Sequence, residues 1–194
     1  MKVLVIGKGG REHAIAHAVS KSKKVTAVYA APGNPQIATN VNISDSDVEG
    51  LVAFAKENQI DLTIVGPEHT LSLGVVDAFQ KEGLKIFGPT KAAAQVESSK
   101  DFAKQIMMRH GIPTAAYATF DDKDAAVCYV KEKGAPIVIK EDGLKAGKGV
   151  TVAHTLEEAL EALDIAFAQE GNKVVIEECL VGFEFSLICF VCGD

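Results

Sequence analysis

The sequence predicts an α/β chain in which a parallel-sheet unit is followed by a smaller α+β unit. Three observations lead there. Up to Pro89, short β-branched runs alternate with longer windows of helical apolar spacing, and unbroken apolar strands linked through helices form a parallel sheet covered on both faces. Beyond Pro89 that rhythm stops, and two strands joined only by a glycine-rich loop at residues 141–149 make an antiparallel hairpin. Finally, a chain that is 47% hydrophobic and 24% charged lies far from the disordered corner of composition, so both units have a core to bury.

The elements follow in order. Residues 3–6, 25–30, 62–65 and 85–87 are apolar and β-branched enough to be the strands of the first unit. Helical spacing covers 11–20, 47–58 and 73–82, with Ser44 or Ser46 as the expected cap of the second helix. Residues 91–109 read as one long helix, stopped by Gly111 and Pro113. From Tyr117 the expected order is strand, helix (124–133), strand (136–140), loop, strand (149–153), helix (156–169), strand (174–177) and a last strand over 184–191. The expected division is 1–102, a helix and linker over 103–120, and 121–194. An apolar strand with nothing after it to pair with makes the chain look cut rather than finished.

A net charge of -6 gives no general attraction for nucleic acid or anionic lipid, so any phosphate site is local. The apolar run after Lys2 stops at Gly7, too short for a signal peptide or a span, and a cytoplasmic location is expected. Cys128, Cys179, Cys189 and Cys192 lie mostly in apolar stretches and are expected as reduced core residues. The Cys189 and Cys192 spacing is discounted as a metal pair, because residues three apart in a strand face opposite ways.

Two glycine clusters carry the chemistry. Gly7-Lys8-Gly9-Gly10 follows a strand and opens a helix, where backbone N–H groups can meet a phosphate. A dinucleotide fingerprint would place its third glycine where Glu12 stands and an acid after the second strand, where Ala30-Ala31-Pro32 stands instead. A phosphorylated small molecule therefore fits better than NAD. Arg11 can add to anion binding, while Asn34 and Glu68, after Pro67, can hydrogen-bond a sugar.

The second cluster is Gly143-Leu144-Lys145-Ala146-Gly147-Lys148-Gly149, behind Lys140 at the end of an apolar strand. An ammonium there is costly without an anion, and a mobile glycine-rich hairpin loop can fold over a triphosphate and exclude water. It is no Walker A loop, because glycine rather than serine or threonine follows Lys148. Past 174–177, a strand edge and the acids Glu177, Glu178 and Glu184 offer partners for adenine and ribose, or form a solvated turn.

Seven segments together resemble the glycinamide ribonucleotide synthetases (phosphoribosylamine–glycine ligases) of the ATP-grasp superfamily. They are Val-Ile-Gly-Lys-Gly-Gly-Arg-Glu-His-Ala (5–14), Ala-Pro-Gly-Asn (31–34), Val-Gly-Pro-Glu (65–68), Ile-Phe-Gly-Pro-Thr-Lys-Ala-Ala-Ala-Gln (86–95), Arg-His-Gly-Ile-Pro-Thr-Ala (109–115), Lys-Gly-Ala-Pro-Ile-Val-Ile-Lys (133–140) and Ala-Gly-Lys-Gly-Val (146–150). The resemblance implies a Rossmann-like domain for phosphoribosylamine, then an ATP-grasp small domain whose C-terminal continuation is absent. It implies ATP-driven joining of glycine to 5-phosphoribosylamine through glycyl phosphate, in purine biosynthesis, by a monomer or a chain fused to other purine-pathway domains.

Carried over residue by residue, Lys100 and Lys140 resemble phosphate-contacting lysines, and Gly143, Gly147, Lys148 and Gly149 the lid. Glu177, Glu178 and Leu180 resemble the adenine hinge, and Glu184 the ribose acceptor. Gly9, Gly10, Arg11, Glu12, Asn34, Pro67 and Glu68 resemble the surroundings of phosphoribosylamine. The Mg2+ or Mn2+ ligands and the glycine site are expected beyond residue 194, so the chain alone is expected to be catalytically silent. Where the family has alanines, this chain has Glu141 and Lys145, and it has Thr70 for a proline and Phe183 for an acid. Competing expectations are another ATP-grasp ligase, a non-catalytic nucleotide or phosphosugar module, and an NAD-dependent oxidoreductase.

Overall fold

The computed structural model describes residues 1–33, 38–145 and 147–191. The chain divides into two compact units, Met1–Ile106 and Met107–Asp194.

In the first unit the chain runs β1 (Lys2–Gly7), α1 (Gly10–Ser20), β2 (Ala27–Pro32), β3 (Thr39–Asn40), α2 (Val48–Glu57), β4 (Leu62–Val65), α3 (Glu68–Ser72), α4 (Val75–Lys81), β5 (Ile86–Phe87), α5 (Lys91–Ser98) and α6 (Lys100–Arg109). The strands form one parallel sheet in the order β3-β2-β1-β4-β5. β1 lies at its centre, and Val3 to Ile6 are almost wholly buried because both faces are covered. Leu4 and Ile6 pack with Leu51, Ala55 and Phe79 from α2 and α4. Val3 and Val5 pack with Ala16 of α1 and Val28. Period-two alternation thus sends neighbouring residues of one apolar run into two different helix layers.

Three expectations in this unit need correction. The cap of α2 is Asp47, whose carboxylate accepts from Gly50 N–H at 2.9 Å, and not Ser44 or Ser46. The helix expected over 73–82 starts only at Val75, because Gly74 takes a left-handed φ of +91°, and a separate short helix, α3, precedes it and ends at Ser72. The long helix expected over 91–109 breaks at Ser99, which is extended (φ -137°, ψ 115°) and accepts from Phe102 N–H at 3.1 Å, capping α6.

The second unit holds β6 (Tyr117–Phe120), α7 (Lys123–Lys133), β7 (Ile137–Glu141), β8 (Val150–Ala153), α8 (Leu156–Phe167) and β9 (Val174–Glu178). Its sheet is antiparallel throughout, in the order β6-β9-β7-β8. Ile137, Ile139, Ala153, Val174 and Ile176 pack on Val130 of α7 and on Ala159 and Leu163 of α8, which gives this unit its own core. The strand expected over 184–191 is not formed, because apolar, β-favouring residues make a strand only where a neighbouring strand takes their hydrogen bonds. The cysteines are not core residues either: Cys128 and Cys189 are exposed and Cys179 is half-buried, while Cys192 lies outside the described residues. Among the described residues no helix is long and apolar enough to cross a membrane.

Candidate functional site

In the first unit the strand order reverses at β1, with β2 on one side and β4 on the other. The carboxyl ends of β1 and β4 therefore flank the crevice where open α/β sheets take ligands. Backbone hydrogen bonds hold the exits together: Gly33 N–H donates to Gly7 O at 3.2 Å, and Gly66 N–H to Ile6 O at 3.1 Å. The chain leaves β1 through Lys8 and Gly9, the N-cap of α1, and leaves β4 through Gly66 and Pro67, the N-cap of α3.

Glu12, in the first turn of α1, points back under this edge and is 6% exposed. Its Oε2 accepts from Gly9 N–H at 2.7 Å, the return half of a capping box. Its Oε1 accepts from Arg11 Nε at 3.0 Å. The Arg11 guanidinium then forks onto Glu68, with Nη1 to Oε1 at 2.8 Å and Nη2 to Oε2 at 3.2 Å. The Arg11 hydrogen bonds, followed by its own backbone N–H at the start of α3, hold the Glu68 carboxyl below the usual carboxylate range. Glu68, then Glu12, push the Arg11 guanidinium up. Arg11 is thus already balanced by two carboxylates. Among the other expected residues, Gly9 and Gly10 are exposed and Pro67 half-buried, while Asn34 lies outside the described residues.

In the second unit, Lys140 lies on β7 next to Val150 of β8 and Val175 of β9, on the sheet face turned away from α7 and α8. Its Nζ is 3.0 Å from Glu177 Oε1 of β9, the carboxylate being only 7% exposed. The anion that offsets burying this ammonium is thus supplied from inside the chain. The sequence pattern led to the expectation of a nucleotide's polyphosphate as that anion, and the partner found here is Glu177. Val150 and Val152 leave the same face apolar and open on the β8 side.

The loop between β7 and β8 is tied down. Lys145 Nζ is 2.8 Å from Glu141 Oε2, the same oxygen to which Asn172 Nδ2 donates at 2.7 Å. Asn172 also donates to Ala166 O at 2.6 Å, and Asp142 N–H to Lys173 O at 2.8 Å. Gly143 and Gly147 have left-handed φ of +89° and +77°, which only glycine adopts cheaply. At Gly149 the need is for room instead, since a Cβ would stand 2.7 Å from the Lys145 side chain. Sequence reasoning missed Asn172, because a partner 31 residues from Glu141 leaves no local signal.

Glu178 accepts from Ala116 N–H at 3.3 Å and its own N–H donates to Ala116 O at 2.8 Å. Leu180 and Glu184 are exposed and belong to no strand. Lys100 opens α6 in the first unit, whereas Lys140 belongs to the second.

Comparison with known proteins covers the whole chain. Residues 1–97 match the family described as phosphoribosylglycinamide synthetase, N domain, and 98–194 the phosphoribosylglycinamide synthetase ATP-grasp (A) domain. A Vibrio vulnificus phosphoribosylamine–glycine ligase is 57% identical over 204 aligned residues, 100% of this chain and 48% of that protein. One from Streptococcus pyogenes is 54% identical over 203, with the same shares covered. The crystal structure of the Thermotoga maritima phosphoribosylamine–glycine ligase matches with a TM-score of 0.72 at 29% identity, over 94% of this chain and 45% of that one. The chain spans about half the length of the curated relatives it matches.

Proposed function

The chain belongs to the phosphoribosylglycinamide synthetase family, and from that membership we propose that it supplies phosphosugar and nucleotide sites to an ATP-dependent carbon–nitrogen ligase. In the proposed reaction a glycine carboxylate oxygen attacks the γ-phosphorus of ATP, and ADP leaves to give glycyl phosphate. The amine of 5-phosphoribosylamine then attacks the acyl carbon and expels phosphate, giving glycinamide ribonucleotide. The observation that carries this proposal is the unbroken match to ligases of that name through both units.

In this proposal the carboxyl edge of the first sheet takes phosphoribosylamine. Gly9 and Gly10 offer backbone N–H groups to its phosphate, while Arg11, Asn34, Pro67 and Glu68 surround the ribosylamine. Gly10 supports it: a methyl there meets nothing of the protein within 4 Å, so internal packing does not account for a glycine at that position.

ATP is assigned to the open face of the second sheet. Val150 and Val152 give an apolar floor, and Lys140, with Lys148 and the amides of Gly143, Gly147 and Gly149, faces the phosphates. The Glu177 carboxylate is engaged by Lys140, so the base is read by backbone groups from Glu178 to Leu180, with Glu184 for the ribose. Relatives' chemistry also calls for Mg2+ or Mn2+. Among the described residues no group of three or more His, Cys, Asp or Glu side chains is placed to hold an ion, so they do not fit one and no step is drawn through it.

Limited proteolysis of the chain tests the nucleotide assignment. ATP with magnesium is expected to protect the loop at 143–149 where NAD does not; equal cleavage with and without ATP rejects the assignment.

A further inference from the structure

Glycines hold open the slot that Glu12 fills. A Cβ on Gly66 would stand 2.1 Å from Glu12 Oε1, one on Gly7 2.4 Å from Cγ, and one on Gly9 2.8 Å from Oε2. Gly7 needs glycine for its backbone as well, since its φ is +122°. Gly9 (φ -82°) and Gly66 lie outside the left-handed region, so any residue could adopt their backbone. What those two positions provide is room for a carboxylate.

Three pieces of chain converge on this one side chain: the loop after β1, the exit of β4 and the first turn of α1. Its two oxygens take one donor each, Gly9 N–H and Arg11 Nε–H. A guanidinium is a rigid planar fork, so an anchored Nε fixes where the two Nη groups point, and here they point at Glu68. Glu12 itself is too buried to offer a ligand much surface.

We propose that Glu12 is a positioning residue for the phosphosugar edge, locking Arg11 and, through it, Glu68 into the orientation that meets the ligand. This rests on the assignment of that edge to a phosphosugar, and it departs from the expectation that Glu12 contacts substrate directly. Gln is no conservative replacement, because an amide presents one acceptor and one donor to two donors. Gly66→Ala leaves the Glu12 chemistry intact and evicts it from the slot.

The test is NMR on the chain, reading hydrogen exchange of Arg11 Nε–H and titrating ribose 5-phosphate as the probe. Glu12→Gln and Gly66→Ala are each expected to speed Nε–H exchange about tenfold and to weaken ribose 5-phosphate binding by a similar factor. Glu68→Gln should leave the Nε–H protected, because Glu12 alone anchors it. Should Gly66→Ala unfold the unit, Glu12→Ala with Gly66→Ala fills the slot with a methyl instead and should show the same fast exchange. Weaker binding with Nε–H still protected makes Glu12 a direct contact and overturns the proposal, as does unchanged exchange in both single variants. If ribose 5-phosphate fails to bind the unaltered chain, the phosphosugar assignment falls, and fast exchange in the variants still establishes that Glu12 positions Arg11.

Discussion

The Glu177 side chain is only 7% exposed beside Lys140, and breaking a pair at a buried carboxylate costs more than the pair contributes. Lys140→Met removes the cation beside the Glu177 carboxylate and is expected to cost about 3 kcal/mol. Adding Glu177→Leu to it should return stability close to the starting value. Urea midpoints of the two variants check this. The Arg11 and Glu68 pair behaves differently, since side chains 55% and 43% exposed are well screened and contribute less than about 1 kcal/mol. Because Arg11 lowers the folded-state pKa of Glu68, that contribution is complete above the ordinary value of 4.5 and is lost as pH falls through the lower, folded one. The gap in unfolding free energy between the unaltered chain and Glu68→Gln should therefore narrow in acid, as pH-dependent denaturation would show.

Helix ends and strand partners, more than helix interiors, separate what the sequence showed from what it hid. β1, β4 and α1 were legible because their apolar periods are uninterrupted, and the β7 to β8 hairpin because only a short glycine-rich loop joins its strands. The break at Ser99 was not, since apolar spacing continues across it and a serine signals a cap only weakly against that background. Ser99→Ala is expected to destabilise the first unit by about 1 kcal/mol, measured by thermal or urea unfolding, because Phe102 N–H loses its acceptor. β3 went unseen because two polar residues carry no pattern. Motif chemistry drew attention to Gly9, Arg11, Glu68 and Lys140, and the structure brings Gly9, Arg11 and Glu68 together around Glu12. The Glu12 slot was hidden, because it needs Gly66, a residue 54 positions away whose role appears only once β1 and β4 pair.

Across the whole molecule, each unit has its own buried cluster: Leu4, Leu51 and Phe79 in the first, Ile139, Leu163 and Ile176 in the second. Against those interiors stands a run from Leu180 to Val191 in which eight apolar side chains are 66% to 101% exposed. It contains no proline and a single charged residue, Glu184, the composition that favours stacking with like segments. The keeping quality of a concentrated sample is consequently governed by this strip. Apolar attraction weakens on cooling, so a stock on ice should stay clear longer than one at room temperature. Light scattering should rise with concentration and fall when Phe185→Lys and Ile188→Lys place charge along the strip.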